Sequence, residues 1–453
     1  MQPTPSPNEV LVPTPPNSVS FAEAFCYWLR LGFLSFGGPS GQIALMHHDL
    51  VETKHWISER RFLHALNYCM LLPGPEAQQL AIYIGWLLHR GVGGVVAGVL
   101  FVLPSFFILS LLAWIYMAYG TLTSVAAVLY GVKPAVVAIV LFAAYRIGLR
   151  TLNNQLMWGI AISAFIAIFV FNLPFPIILL GAASFGYFVS QRAPQYFKVS
   201  TAHAAAHKAY GPALIDDNTP TPEHAHLSWK KMIKVAVIGF AIWLISMLLL
   251  LFNYGWQNTY TQMAWFFSKA ALVTFGGAYA VLPYVYQGAV EHFHWLTATQ
   301  MMDGLALGET TPGPLIMVVT FVGFVGGWSA QTLGANGVFV SALLAAAIVT
   351  FFTFLPSFIF ILMGGPLIES THGQLKFTAP LAAISAAVVG VILNLALFFV
   401  YHVLWPQGWT SPIEVPSVSI LLFAGLGLFR FKLNVVLLIA SCGLLGLVYR
   451  LMF

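Results

Sequence analysis

Charge is what this sequence lacks. Only 7% of its 453 residues are Asp, Glu, Lys or Arg, against about 25% in a soluble protein. That scarcity excludes a soluble globular fold. The 59% hydrophobic content excludes a disordered chain. So few basic residues cannot build the face of an aqueous nucleic-acid binder. Cysteine is scarce too. Cys26, Cys69 and Cys442 each lie in an apolar stretch with no neighbour at ligand spacing, so they read as small buried hydrophobes. HExxH, P-loop and GxSxG motifs are all missing, so neither an enzyme nor a cofactor is expected. Residues 1–19 have no basic start and no apolar run, which argues against a cleavable signal peptide.

What is present is apolar sequence in long segments. The mean hydropathy is +0.85, that of a chain solvated mostly by lipid. A bilayer-spanning helix needs about 20 apolar residues. Apolar segments fall near 21–50, 62–89, 91–118, 132–150, 156–172 and 174–190, then at 232–254, then near 260–290, 299–328, 337–364, 377–403, 416–429 and 433–451. The pattern predicts an all-α polytopic membrane protein. Its expected parts are a disordered tail 1–19, a first repeat 20–190, a cytoplasmic polar linker 191–231, a connecting transmembrane helix 232–254 and a second repeat 260–453. The linker holds His203, His207, His224 and His226. No cysteine assists them and the stretch looks solvated, so no metal site is expected.

The halves repeat each other. Phe36-Gly37-Gly38 returns as Phe275-Gly276-Gly277, and Pro73-Gly74-Pro75 as Pro312-Gly313-Pro314. Glu52, His55 and Trp56 return as Glu291, His294 and Trp295. All these pairs lie 239 positions apart. Arg30 pairs with Lys269 at the same offset. Leu103-Pro104-Ser105-Phe106 returns 252 positions on, as Leu355-Pro356-Ser357-Phe358.

Orientation follows from the basic residues. Segment 62–89 breaks at Pro73-Gly74-Pro75, where Pro removes a donor and clashes with the preceding turn. Arg60 and Arg61 flank one end and Arg90 the other, so the positive-inside rule puts both ends in the cytoplasm. Each arm, about 20 Å long, is too short for a core of about 30 Å. A re-entrant hairpin is predicted, with a kinked single crossing as its alternative. Segment 21–50 turns in the same way near Gly37-Gly38-Pro39. On this layout 15 of the 19 basic residues lie inside, Arg30 and Lys269 are embedded, and Lys133 and Arg450 lie outside. One odd helix between the halves makes them an inverted repeat, a device of secondary transporters.

The breaks are where chemistry is expected. Broken backbone inside a bilayer is tolerated only in protein or beside a water-filled cavity. The helices that start after the two Pro-Gly-Pro turns aim free N–H groups and a positive dipole end at the break, a natural anion site. Arg30 and Lys269 are embedded cations that could hold that anion, or could snorkel to an interface. The candidate binding set is Arg30, Gly37, Gly38, Pro39, Gln42, Pro73, Gly74, Pro75, Gln78, Lys269, Gly276, Gly277, Thr311, Pro312, Gly313 and Pro314. Glu76 and Glu309 flank the breaks at non-equivalent positions. Each either caps free N–H groups or titrates and couples proton movement to transport.

Phe36-Gly37-Gly38-Pro39, Trp56, Leu72-Pro73-Gly74-Pro75-Glu76-Ala77, Gly85 and Leu103-Pro104-Ser105, with their second copies, resemble the chromate ion transporter family in its long, two-domain branch. The likeness covers residues 20–450. One departure is Ala278, which stands where Pro39 would have its partner. The expected location is the cell inner (plasma) membrane, and the resemblance implies chromate efflux, chromate resistance, and sulfate as a competing anion. A sulfate or other oxyanion importer, an anion exchanger and an anion channel are the alternatives. The expected partners are the anion, the lipid bilayer and a second copy of the chain as a homodimer, with no nucleic acid.

Overall fold

The computed structural model describes residues 18–36, 38–120, 122–193, 195, 210–217, 219–220, 222–275, 277–370 and 378–452. Gly37, Gly276, His203, His207 and residues 1–17 of the tail lie outside the described residues.

Proline and glycine decide where the helices stop. In the first half, α1 (Phe21–Leu34) and α2 (Gly38–His47) meet at the glycine turn. α2 runs into a π turn, His48–Thr53, and α3 (Glu59–Cys69) follows. α4 (Glu76–Tyr119) starts directly after Pro73-Gly74-Pro75. It breaks once at His89 and Arg90, whose dihedrals leave the helical region. Then come α5 (Thr123–Thr151), α6 (Gln155–Phe169) and α7 (Phe175–Arg192). α8 (Trp229–Tyr254) joins the halves. The second half is α9 (Thr259–Leu272), α10 (Ala278–Tyr286), a π turn Gln287–His292, α11 (Ala298–Thr310), α12 (Val318–Ala330), α13 (Val338–Ser370), α14 (Thr378–Leu404), α15 (Val415–Phe429) and α16 (Val435–Met452). Among the described residues the one β feature is an isolated bridge between Ile57 and Ile215. The protein is an all-α, multi-pass membrane protein. Among the described residues six helices are long and apolar enough to cross a bilayer.

The repetition extends to backbone detail. Both π turns lead to a histidine in the left-handed region, His55 at φ 52° and His294 at φ 53°. Gly38 and Gly277, and Gly74 and Gly313, are all at positive φ. Ser58 caps α3 and Thr297, 239 residues on, caps α11. The halves also grip each other reciprocally. Gly74 N–H donates to the Thr274 carbonyl at 2.8 Å, and Gly313 N–H donates to the Ser35 carbonyl at 2.8 Å. Ser35 and Thr274 are themselves 239 residues apart, so the exchange is that of a two-fold relation. Small residues bring helices together where lipid supplies no hydrophobic drive: α5 meets α16 backbone to backbone at Gly131 and Gly446.

Short helices fold back. α1 has 14 residues, about 21 Å, and cannot cross a core of about 30 Å. Arg61 at the start of α3 and Tyr83, two turns into α4, both reach Glu369 at the end of α13. The two arms around Pro73-Gly74-Pro75 therefore both reach the end of α13, an arrangement compatible with the predicted hairpin. Polar groups of the linker close over that end. Thr219 accepts from Arg61 at 2.8 Å and Asp217 from Ser58 at 2.6 Å.

Candidate functional site

The Pro-Gly-Pro turns lie in the protein interior, held by glutamines. Gln42, 1% exposed, donates through Nε2 to the Ser35 carbonyl at 3.2 Å and the Gly313 carbonyl at 2.6 Å. It thus ties the first glycine turn to the second Pro-Gly-Pro turn. Gln79 Nε2 donates to the Pro73 carbonyl at 2.7 Å. Thr311 Oγ1 donates to Gly308 at 3.0 Å. Gln78 is fully buried in the first turn of α4, and neither of its amide atoms has a partner in the protein. The Gln79 and Gln42 Oε1 atoms and Ser105 Oγ are also unpartnered. Buried polar atoms are paired in most proteins, so this cluster marks a polar interior with unused hydrogen-bonding capacity.

In front of the turns lies a cavity of about 270 Å³. One water needs about 10–15 Å³ of such space, so an oxyanion and accompanying waters have room. The walls come from both halves at equivalent registers. Gly38 faces Gly277, Ser40 is matched by Tyr279, and Met70 by Glu309. Pro39 also lines it, and Glu76 of α4, Arg146, Arg150 and Thr151 of α5, and Ser385 of α14 add polar groups. The cavity therefore sits where the two-fold relation brings like elements together, and its charges break that symmetry.

Three helix N-termini open on it: those of α2, α10 and α4. Their free N–H groups and dipoles favour an anion. Arg146 and Arg150 are one helical turn apart on α5. Arg146 donates to Ser40 Oγ at 3.1 Å, fixing the start of α2. Against this stand two carboxylates. The Tyr279 hydroxyl donates to Glu309, and Glu76 shares the cavity with Arg150.

Of the residues that the sequence singles out, Gly38, Pro39, Glu76, Gly277 and Glu309 line the cavity. Gln42, Pro73, Gly74, Pro75, Gln78, Thr311, Pro312, Gly313 and Pro314 do not line it. Arg30 and Lys269 do not join. Both are exposed, at the same register of α1 and α9. α1 buries Ala24, Tyr27, Trp28 and Leu31, which turns Arg30 outward, and Lys269 lies 5.5 Å from the Trp265 ring centre. Neither Arg30 nor Lys269 lines this cavity. Arg146, Arg150, Ser40 and Tyr279 were not singled out. The available signal was a pair of arginines at i,i+4 in an apolar segment. Among the described residues no group of three His, Cys, Asp or Glu side chains could hold a metal ion.

The family model described as chromate transporter matches residues 22–187 and 261–447. A chromate transport protein of Cupriavidus metallidurans is 31% identical over 93% of this chain and 91% of its own length. A chromate transport protein of Pseudomonas aeruginosa is also 31% identical, over 95% of this chain and 93% of its own. An uncharacterized transporter of Methanocaldococcus jannaschii is 26% identical over 95% of this chain. These relatives are named as transporters, which supports transport over enzymatic chemistry. No solved structure matches the chain.

Proposed function

The chain belongs to the chromate transporter family, and from that premise we propose that it is a secondary transporter exporting chromate through the cytoplasmic membrane, and so conferring chromate resistance. The observation that carries the reading is the cavity between equivalent turns, where three helix N-termini and Arg146 and Arg150 converge. A tetrahedral dianion matches that donor set: the guanidinium forks bind two oxygens each, and the helix ends take the rest. Sulfate has the same shape and charge and is the expected competitor.

The driving force needs no nucleotide. One elementary charge crossing 100 mV is worth about 2.3 kcal/mol, so a dianion leaving a negative-inside cell gains about 4.6 kcal/mol. Alternating access would come from the two halves rocking about the site. An inverted arrangement is supported by contacts at the two ends of α13. Its last turn meets the hairpin of the first half through Glu369. Near its start, Ser341 meets Tyr260 and Gly327 of the second half. The cavity carries Arg150 and Thr151 at the final turn of α5, the end assigned to the cytoplasm. It is thus the loading side of an exporter.

Glu76 and Glu309 must yield to the anion. A carboxylate and an oxyanion repel at such range unless a proton or an arginine intervenes. The pair is therefore the inner coupling element: each acid holds an arginine or a proton when the cavity is empty of substrate. The test is uptake into everted vesicles with chromate, sulfate, molybdate and phosphate in parallel. Chromate uptake driven by an inside-positive potential, inhibited by sulfate, is the expected result. Equal conductance of all four anions without labelled-for-unlabelled exchange would make the protein a channel instead.

A further inference from the structure

At the opposite end of α5 from Arg146 and Arg150 lies a second cavity, of about 660 Å³. Its lining includes Lys133 of α5, Arg450 of α16, His402 of α14 and Glu414. Lys133 and Arg450 are the two basic residues that the charge pattern leaves outside. α11 forms part of the wall through Thr299 and Met302. The next residue, Asp303, is 2% exposed, and no other Asp, Glu, Lys or Arg among the described residues is as buried. It lies one turn from Thr299, so both belong to the same helix face. Tyr116, in the last turn of α4, donates its hydroxyl to Asp303 Oδ2 at 3.0 Å. Oδ1 is buried with no partner in the protein.

A half-partnered carboxylate inside a membrane protein is a functional group by default, and its ionised form is the costly one. A proton on Oδ1 removes that cost. A metal ion does not fit, because it needs several oxygens and no cluster of three or more acids, histidines or cysteines gathers there among the described residues.

We propose that Asp303 is a proton-binding site at the outer end of the transporter, beside the Lys133 cavity and linked to the anion held there; this rests on the transport reading above. The linkage is electrostatic. Lys133 is the cation whose field reaches the Asp303 carboxylate. Arg450 and His402 face the same cavity from α16 and α14, and Tyr116 faces Asp303 from α4. The segment Leu315–Met317 and α12, which also pack on α11, bring no titratable group. An oxyanion beside Lys133 offsets that cation's charge, and a proton on Asp303 then keeps the buried carboxyl uncharged near the anion. Anion and proton thus occupy the outer end together. A dianion crossing with one proton still carries one negative charge, so a negative-inside potential still drives it outward.

Two measurements test this on the purified, lipid-reconstituted protein. In liposomes clamped with potassium and valinomycin, chromate efflux through the wild type should alkalinise the lumen. In Asp303→Asn the proton movement should fall to that of protein-free liposomes, and Asp303→Glu should restore part of it. Proton movement unchanged in Asp303→Asn would overturn the proposal, since the proton would then travel on the anion itself or on another residue. The second measurement does not depend on transport. An infrared band of a protonated carboxyl should appear on adding chromate and be missing from Asp303→Asn. If no chromate exchange occurs but that band is present, the transport reading fails and the proton site stands. If exchange occurs and the band is absent at every pH, the proton site fails alone.

Discussion

At the end of α3 stands Met70, and at the same register of α11 stands Glu309. Glu76 opens α4, while Leu315 occupies the equivalent place in the second half. Ser40 is answered by Tyr279, and His64 by Asp303. Around these unlike residues the backbone is repeated closely, down to two π turns and two left-handed histidines. The ends of the long helices show the same contrast. Where α13 meets α3, Arg61 and Tyr83 hold Glu369. Where α4 meets α11, a tyrosine holds an aspartate. A duplicated scaffold needs the glycines and prolines that shape its breaks in both copies. The charges that bind and release an anion are needed once, on the side where each step occurs.

The largest effect tests the inversion between halves. In a protein with Cys26 replaced, Lys54→Cys should resist an impermeant thiol reagent added to intact cells, and His292→Cys should react. Labelling of both from outside removes the inverted relation and with it the meaning of every pair compared above.

Next comes the cation pair. Arg146→Gln and Arg150→Gln should each raise the apparent KM for chromate about 10- to 100-fold, since a hydrogen bond to a charged group is worth about 1.5–3 kcal/mol. Arg146→Lys should recover only part, because the fork is lost. Arg30→Gln and Lys269→Gln should leave KM within about twofold, because neither lines the cavity. The reverse ranking would return the anion to the symmetric cations and sink the asymmetric site. Glu76→Gln sharpens the point. If the acid couples a proton, exchange survives and pH-driven flux disappears. If it competes with substrate, KM falls.

A smaller loss separates the two Pro-Gly-Pro turns. Gly74 has φ 125° and Gly313 φ 97°, both in the region where a side chain is strained. An added methyl on Gly74 would meet Ser357 Oγ and, at 2.7 Å, Gln79 Nε2. On Gly313 it would meet Ser105 Cβ at 2.7 Å. Each Ala variant should cost about 1–3 kcal/mol, read as a lower melting temperature in detergent. Ser357→Ala removes the clashing oxygen and should return part of the Gly74→Ala loss. Ser105→Ala keeps the clashing Cβ and should return little of the other. Equal rescue would mean that the two turns are packed alike.

The breaks and the duplication were legible because proline and glycine act through local backbone physics, and they recur at one offset. The site's cations were not. Arg146 and Arg150 sit near a helix end, where the positive-inside rule reads basic residues as flanks. Only the packing of α5 between α14, α15 and α16 turns them onto a cavity. Arg30 and Lys269 pose the opposite problem. Depth in a segment was legible, but the face of a 14-residue helix depends on its partner, and α1 spends its aromatic stripe on α4. Asp303 was visible as an acid in an apolar run. Its isolation became meaningful only once α4 and α5 were packed against it.

The smallest effect concerns Glu52 and Glu291, equivalent residues of the two π turns, outside the spanning helices. His48 donates to Glu52 at 3.1 Å and His47 lies at the same distance. The His48 hydrogen bond is the main reason that the Glu52 carboxyl is held below its ordinary value of 4.5. Glu291 has no such histidine and lines an aromatic cavity beside Tyr286, Trp405 and Trp409. Desolvation there pushes its carboxyl above 4.5. The two therefore pull stability in opposite directions with pH. Glu52 binds its proton more weakly when folded. Its contribution is present above the unfolded value and disappears as pH falls through the lowered one. Glu291 binds its proton more tightly when folded. It favours the fold below the unfolded value and loses that advantage as pH rises through its raised value. Melting temperatures of Glu52→Gln and Glu291→Gln, each subtracted from wild type between acid and neutral pH, should slope in opposite senses by a few tenths of a degree to about 2 °C. Parallel slopes would mean that the two copies of the turn share one electrostatic environment, and that the difference between the halves is confined to the transport path.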